Sequence, residues 1–186
     1  MKRLFDFGLA FVAVILLSPV LLVVVLLIKL TSKGPAVYWS NRVGRDNVIF
    51  RMPKFRSMRI DTPQVATHLL GKPDAYLTSI GGFLRKSSLD ELPQLWSILK
   101  GDLSFVGPRP ALFNQDDLVE LRTKYGIEKL VPGLTGWAQI NGRDDLSIPA
   151  KVEFEREYLE RRSFGFDLKI IVMTLVKAMR SEGVSH

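Results

Sequence analysis

Two adjacent carboxylates, Asp90 and Glu91, stand in the stretch Ser87-Ser88-Leu89-Asp90-Glu91-Leu92-Pro93-Gln94, with Arg85 and Lys86 just upstream. An ionised carboxylate can attack phosphorus without first losing a proton, and two neighbouring acids can hold Mg²⁺ together with substrate phosphates. The stretch also has an ordinary structural explanation. Ser88 followed three residues later by Glu91 is the pattern of a capping box, and Asp90 in a first helical turn complements the helix dipole. Context adds a chemical reading: a helix N-terminus holds a carboxylate ionised, and its free N–H groups can receive a phosphate.

Cations suited to phosphate recur along the chain. Pro108 and Pro110 preset the backbone around Arg109, which limits where its guanidinium can go and suits bidentate binding of an oxyanion. Lys54 and Arg56 lie in Pro53-Lys54-Phe55-Arg56-Ser57-Met58, and Arg143 follows Asn141-Gly142. Each alone is equally compatible with a structural ion pair; together they form a pyrophosphate cradle. From 29 to 59 the basic residues Lys29, Lys33, Arg42, Arg45, Arg51, Lys54, Arg56 and Arg59 face a single acid, Asp46, so this segment alone carries the formal charge of the whole chain, +7. Such a block suits anionic headgroups or a phosphate-bearing substrate, and it is also what a merely solvated face looks like. The 186 residues include no Cys and only two histidines, His68 and His186. Disulfides, thiolate metal centres, Cys nucleophiles and His-rich metal sites are thereby excluded.

The elements that position these groups begin with an apolar run over 7–28, interrupted by Ser18 and Pro19. As a straight helix it is about 33 Å long, close to the roughly 30 Å hydrocarbon core of a bilayer. Pro19 has no N–H for the carbonyl of Ile15, so a kink or break is expected, which the Ser18 hydroxyl can partly repair. Two geometries fit, a kinked spanning helix and a re-entrant hairpin. Lys2 and Arg3 before the run and Lys29, Lys33, Arg42 and Arg45 after it give both ends a cytoplasmic mark. A signal peptide fits poorly, because the run is too long and no small-x-small site follows. Beyond it the pattern gives one compact domain. Strands are expected over 36–39 and 48–52 around a Gly44-Arg45-Asp46-Asn47 turn, and an irregular loop over 61–74. Helices are expected over 80–86, 89–99, 114–125, 149–161 and 166–179. The last is apolar around most of its circumference, which fits a core position first and a membrane interface second.

Lys2-Arg3-x-Phe5-Asp6, the Ser18-Pro19 break, Lys54-Phe55-Arg56-Ser57-Met58 and Ser88-Leu89-Asp90-Glu91-Leu92-Pro93-Gln94-Leu95 follow one another in order. Next come Lys100-Gly101-Asp102-x-Ser104-Phe105-Val106-Gly107-Pro108-Arg109-Pro110 and Pro132-Gly133-x-Thr135-Gly136-Trp137-Ala138-Gln139-x-Asn141-Gly142-Arg143. This series resembles the bacterial sugar transferase family, the monotopic phosphoglycosyl transferases, over essentially the whole chain and at the length of members that consist of the catalytic domain alone.

The resemblance implies an α+β, mostly helical fold: a re-entrant membrane helix over 1–30, then a small catalytic domain over 31–186 with short strands and interfacial amphipathic helices, on the cytoplasmic face of the bacterial inner membrane. It implies Mg²⁺-dependent transfer of a sugar 1-phosphate from a UDP-sugar to polyprenyl (undecaprenyl) phosphate, with release of UMP, as the first membrane step of glycoconjugate assembly. Asp90 would attack phosphorus, Glu91 would handle metal or proton, and Lys54, Arg56, Arg85, Arg109 and Arg143 would bind phosphates or nucleotide. The resemblance points to an N-acetylated amino sugar as cargo. Asp167 matches an acidic position that recurs in the family, and Glu155 stands where relatives tend to carry Asp. The alternatives are a membrane-anchored adapter or single-strand binder using the basic block with Trp39, Phe50 and Phe55, and a UDP-sugar hydrolase that needs no lipid.

Overall fold

In the computed structural model, residues 1–63, 73–142 and 146–179 are described. A 30-residue helix, α1 (Lys2–Thr31), begins the fold with Pro19 inside it. Among the described residues it is the one helix long and apolar enough to cross a membrane. It stays helical through Ser18-Pro19, where the sequence suggests a kink or break. The reason is local: the Ser18 hydroxyl donates to the Ile15 carbonyl at 2.8 Å, the acceptor that Pro19 cannot serve.

Both halves of α1 lie on the same domain. Ala10, flanked by Ala13, Val14 and Leu17, packs with Met52, Leu95, Ile98 and Leu103. Val24 and Ile28 pack with Ala36, Phe55 and Leu84. Polar bonds fix the N-terminal end. Asp6 accepts from the Ser104 hydroxyl at 2.8 Å and the Phe105 N–H at 3.3 Å. Arg3 donates to the carbonyls of Ile98 and Leu99, and Lys2 to Asp167 at 2.6 Å. The opposite side of α1 exposes Leu4, Phe11, Ile15, Leu16, Leu22, Val23, Leu26 and Leu30, an apolar surface that water does not favour.

After α1 comes an antiparallel hairpin of β1 (Val37–Val43) and β2 (Ile49–Phe55), with Trp39 opposite Pro53 and Val43 opposite Ile49. It turns through Asp46 and Asn47, both at positive φ, which short polar side chains tolerate. The strands extend further than the sequence pattern suggests. Next are α2 (Gly81–Lys86), a 3₁₀ turn (Leu89–Glu91) and α3 (Gln94–Lys100). Two three-residue strands, β3 (Ser104–Val106) and β4 (Gly133–Thr135), pair in parallel on either side of α4 (Asp116–Lys124). The sequence reads this Pro- and Gly-rich region only as turns. Gly133 is required there, since a Cβ would lie 2.1 Å from the Gly107 nitrogen.

The chain closes with α5 (Trp137–Ile140), α6 (Ile148–Arg161) and α7 (Phe164–Met179). Their core contains Val106, Leu118, Ile127, Val152, Tyr158 and Ile170. α7 buries Phe166, Asp167 and Ile170 while Phe164, Leu168, Val172, Leu175 and Val176 stay exposed. It therefore serves the core on one side and presents a second apolar stripe, at helical spacing, on the other.

Ser18→Ala should leave the Ile15 carbonyl without a donor and lower stability in detergent by about 1–3 kcal/mol. Adding Pro19→Ala, which restores a backbone N–H, should recover most of that loss in a thermal-unfolding measurement.

Candidate active site

The acidic pair is set by a reversal of the backbone after α2. Ser88 adopts the left-handed conformation at φ 55 and its side chain makes no capping bond, so the capping box does not form. The helix expected over 89–99 is instead the 3₁₀ turn Leu89–Glu91 followed, after Leu92-Pro93, by α3. Glu91, released from a capping role, accepts from Lys54 at 2.8 Å and from Arg109 at 3.3 Å. Lys54 comes from β2, and Arg109 from the Pro-flanked turn after β3.

Asp90 is 9% exposed. Burial is the largest influence on it and raises its pKa above the usual carboxylate value, with repulsion from Glu91 adding to the rise and Lys54, Arg85 and Arg109 opposing it. The electrostatic balance differs from the one expected of a helix N-terminus: desolvation outweighs the surrounding positive charge and raises, rather than lowers, the pKa of this carboxylate. Glu91 goes the other way. Burial also disfavours its charge, but the attraction and hydrogen bonds of Lys54 and Arg109 prevail and hold it well below the ordinary range. Two adjacent acids pushed in opposite directions have separate roles available to them: one fixed and anionic, the other desolvated and reactive.

Arg109 is held from behind. Arg122, buried, donates to the Arg109 carbonyl at 2.9 Å and is itself paired with Glu155 at 2.5 and 2.8 Å. Glu155 is therefore a support for the turn that carries Arg109, and the longer side chain at this position still meets its guanidinium. An open cleft of about 210 Å³ adjoins the cluster, lined by Arg42, Met52, Glu91, Gln94, Arg109, Pro110 and Gly133. Arg42 reaches it from β1, donating to Ser40 Oγ and the Pro110 carbonyl. Its direction and that of Gln94 escaped the sequence reading; four-residue spacing from Asp90 to Gln94 was the available signal for the latter.

The other expected site residues are distributed unequally. Arg85 contacts Met58 Sδ at 3.6 Å and adds positive potential at Asp90. Arg56 is buried and bonds Ser32 and the Lys33 carbonyl at the exit of α1, away from the Lys54–Glu91–Arg109 cluster. Arg143 lies outside the described residues. Asp167 binds Lys2 and the Tyr158 hydroxyl, so it anchors α1. No group of three or more metal-binding side chains occurs among the described residues. Asp90 and Glu91 nevertheless offer hard oxygen donors on consecutive residues, a set that fits Mg²⁺ when substrate phosphates complete its coordination.

A buried, charge-flanked carboxylate dyad thus stands on a domain packed against one long apolar helix. The profile described as bacterial sugar transferase matches residues 1–181, and the chain belongs to that family. It is 40% identical over 185 residues to the UDP-glucose:undecaprenyl-phosphate glucose-1-phosphate transferase of Escherichia coli, covering 95% of this chain but 40% of that protein. It is 40% identical over 189 residues to the uncharacterized sugar transferase EpsL of Bacillus subtilis, covering 100% of this chain and 91% of EpsL. The exopolysaccharide production protein ExoY of Rhizobium meliloti is 36% identical over 197 residues, with coverage of 98% and 87%. The chain thus spans well under half of the first relative and most of the other two.

The upward shift of Asp90 means that the folded state binds its proton more tightly than the unfolded chain. This contribution to stability is complete below the unfolded value of 3.8 and is lost as pH rises through the higher folded value. At neutral pH the charge therefore destabilises the fold. Asp90→Asn should raise the thermal midpoint, by about 2–4 °C for each kcal/mol relieved in a domain of this size, as measured by thermal unfolding without substrate.

Proposed function

We propose that this protein transfers a sugar 1-phosphate from a UDP-sugar to polyprenyl phosphate through a covalent intermediate on Asp90. One observation carries the reading: a desolvated carboxylate sits beside a carboxylate anchored by Lys54 and Arg109. An Asp90 oxygen attacks the β-phosphorus of the donor, and the bond from that phosphorus to the bridging oxygen breaks. UMP leaves with the electron pair. A phosphate oxygen of the polyprenyl acceptor then attacks the same phosphorus and returns Asp90 as a free carboxylate, giving polyprenyl-diphosphate-sugar. Arg109 and Lys54 hold Glu91 in place and offer positive charge to the phosphates; Arg85 adds to it. Bound Mg²⁺, held by Asp90 and Glu91 with the substrate phosphates, would supply Lewis-acid neutralisation of the developing charge.

The names of relatives favour glucose as the cargo and undecaprenyl phosphate as the acceptor: the Escherichia coli protein is a UDP-glucose:undecaprenyl-phosphate glucose-1-phosphate transferase, and the Komagataeibacter xylinus one an undecaprenyl-phosphate glucose phosphotransferase. For this chain we therefore place glucose ahead of an N-acetylated amino sugar. ExoY, named for exopolysaccharide production, supports a place at the start of surface polysaccharide assembly.

We also infer that α1 is re-entrant. Arg3 and Asp6 at one end and Val24 and Ile28 at the other all contact one small domain, and a helix crossing the bilayer would carry one end to the far side. With the exposed stripe of α7 lying in the interface, the domain sits on the face marked by its basic flanks, the cytoplasmic side of the inner membrane. A non-catalytic adapter would leave the opposed acids of the dyad without a purpose.

The test is UMP release by purified protein with Mg²⁺, undecaprenyl phosphate and UDP-glucose. Lipid-dependent turnover is expected, with Asp90→Asn reducing it more than about a thousandfold; equal turnover in that variant would defeat the covalent route, and lipid-independent release would indicate a hydrolase. The acid limb of kcat/KM should lie above the 3.8 of free aspartate. Lys54→Met should move it to still higher pH, because Lys54 lowers the pKa of both acids.

A further inference from the structure

Gln94 is 3% exposed, yet it lines the cleft beside Glu91 and Arg109. Side chains this enclosed ordinarily have their polar atoms paired inside the protein. Among the described residues, nothing hydrogen-bonds the Gln94 amide, and the fold's sealed, unpaired side-chain atoms belong to Arg56, Ser97, Glu128 and Gln139. Its amide therefore opens into the cleft. Leu92 and Pro93 keep right-handed helical backbone between Glu91 and Gln94, so Gln94 follows Asp90 by four residues on the same side of the turn.

We propose that Gln94 binds a hydroxyl of the sugar being transferred, which makes it a specificity-determining residue; the inference rests on the transferase reading above. The chemistry of the amide selects this ligand. It offers donors and an acceptor together, which match a hydroxyl that both donates and accepts, whereas a fully ionised phosphate has only acceptors and would leave the amide carbonyl unpaired. Phosphate is better served by Arg42 and Arg109 in the same cleft. Uracil also carries both functions, but position argues against it. The sugar is joined directly to the phosphorus that Asp90 attacks, while the base is separated from it by the α-phosphate and ribose. One helical turn from Asp90, the sugar is within reach.

The experiment compares wild type with Gln94→Met, which keeps the volume, and Gln94→Glu, which keeps acceptors but removes the donors. Each is assayed with UDP-glucose and a series of its monodeoxy analogues, and each is titrated with UMP, which lacks the sugar. Both variants should bind UMP as wild type does, and an unchanged thermal-unfolding midpoint certifies separately that they are folded. Gln94→Met should lose about five- to tenfold in kcat/KM for the complete donor, and no further activity with the one analogue lacking the contacted hydroxyl. Equal losses across every analogue, or weakened UMP binding in folded variants, would overturn the proposal. A wild type that turns over none of a panel of UDP-sugars would instead defeat the transferase reading itself.

Discussion

Glu91 ties together three stretches of chain: the 3₁₀ turn it belongs to, Lys54 on β2 and Arg109 on the turn after β3. Its charge is disfavoured by burial and restored by two cations, so the anion and its partners hold one another in place. Asp90 inherits its surroundings from that arrangement. The cations drawn in by Glu91 partly offset the desolvation of Asp90, and the backbone reversal at Ser88 opens the turn that carries both acids. The support extends outward through the Arg109 carbonyl to Arg122 and Glu155, so the guanidinium nearest the dyad rests on a buried ion pair from α4 and α6.

The long apolar helix α1 is part of this architecture rather than an attachment to it. Met52 on β2, two residues from Lys54, packs with Ala10, and Leu84 on α2 packs with Val24 and Ile28. The elements carrying the site are thus braced against α1 from both of its halves. Arg56 has a matching task at the exit, where it binds the Ser32 side chain and the carbonyls of Ser32 and Lys33.

Sequence made the acids legible because Asp90 and Glu91 are adjacent and sit in a long, distinctive run. Their partners were legible as types but not as places. Lys54 and Arg56 read alike, two cations just past a strand expected over 48–52, but β2 runs on to Phe55, so Lys54 is fixed on the strand while the chain carries Arg56 away toward α1. The capping-box pattern of Ser88 and Glu91 failed because a left-handed residue at Ser88 lies outside what a local pattern encodes, and tertiary cations outcompeted the cap. The parallel β3–β4 pair was hidden because strands of three residues are too short to show a periodicity. α7 read as apolar nearly all round, and that is why neither a core nor an interfacial position alone accounts for it.

The anchor between Lys2 and Asp167 joins residues 165 positions apart. On a ribosome adding about 5–20 residues per second, Lys2 emerges many seconds before its partner exists, and the same interval separates Phe5 from Phe164, whose rings meet edge-on. Through that interval the amino end of α1 already has partners for Arg3 and Asp6 among residues 98–105, and α7 adds a second fastening when it follows. A nascent chain halted before α7 would hold both acids and the first of these two holds on α1, yet lack the second.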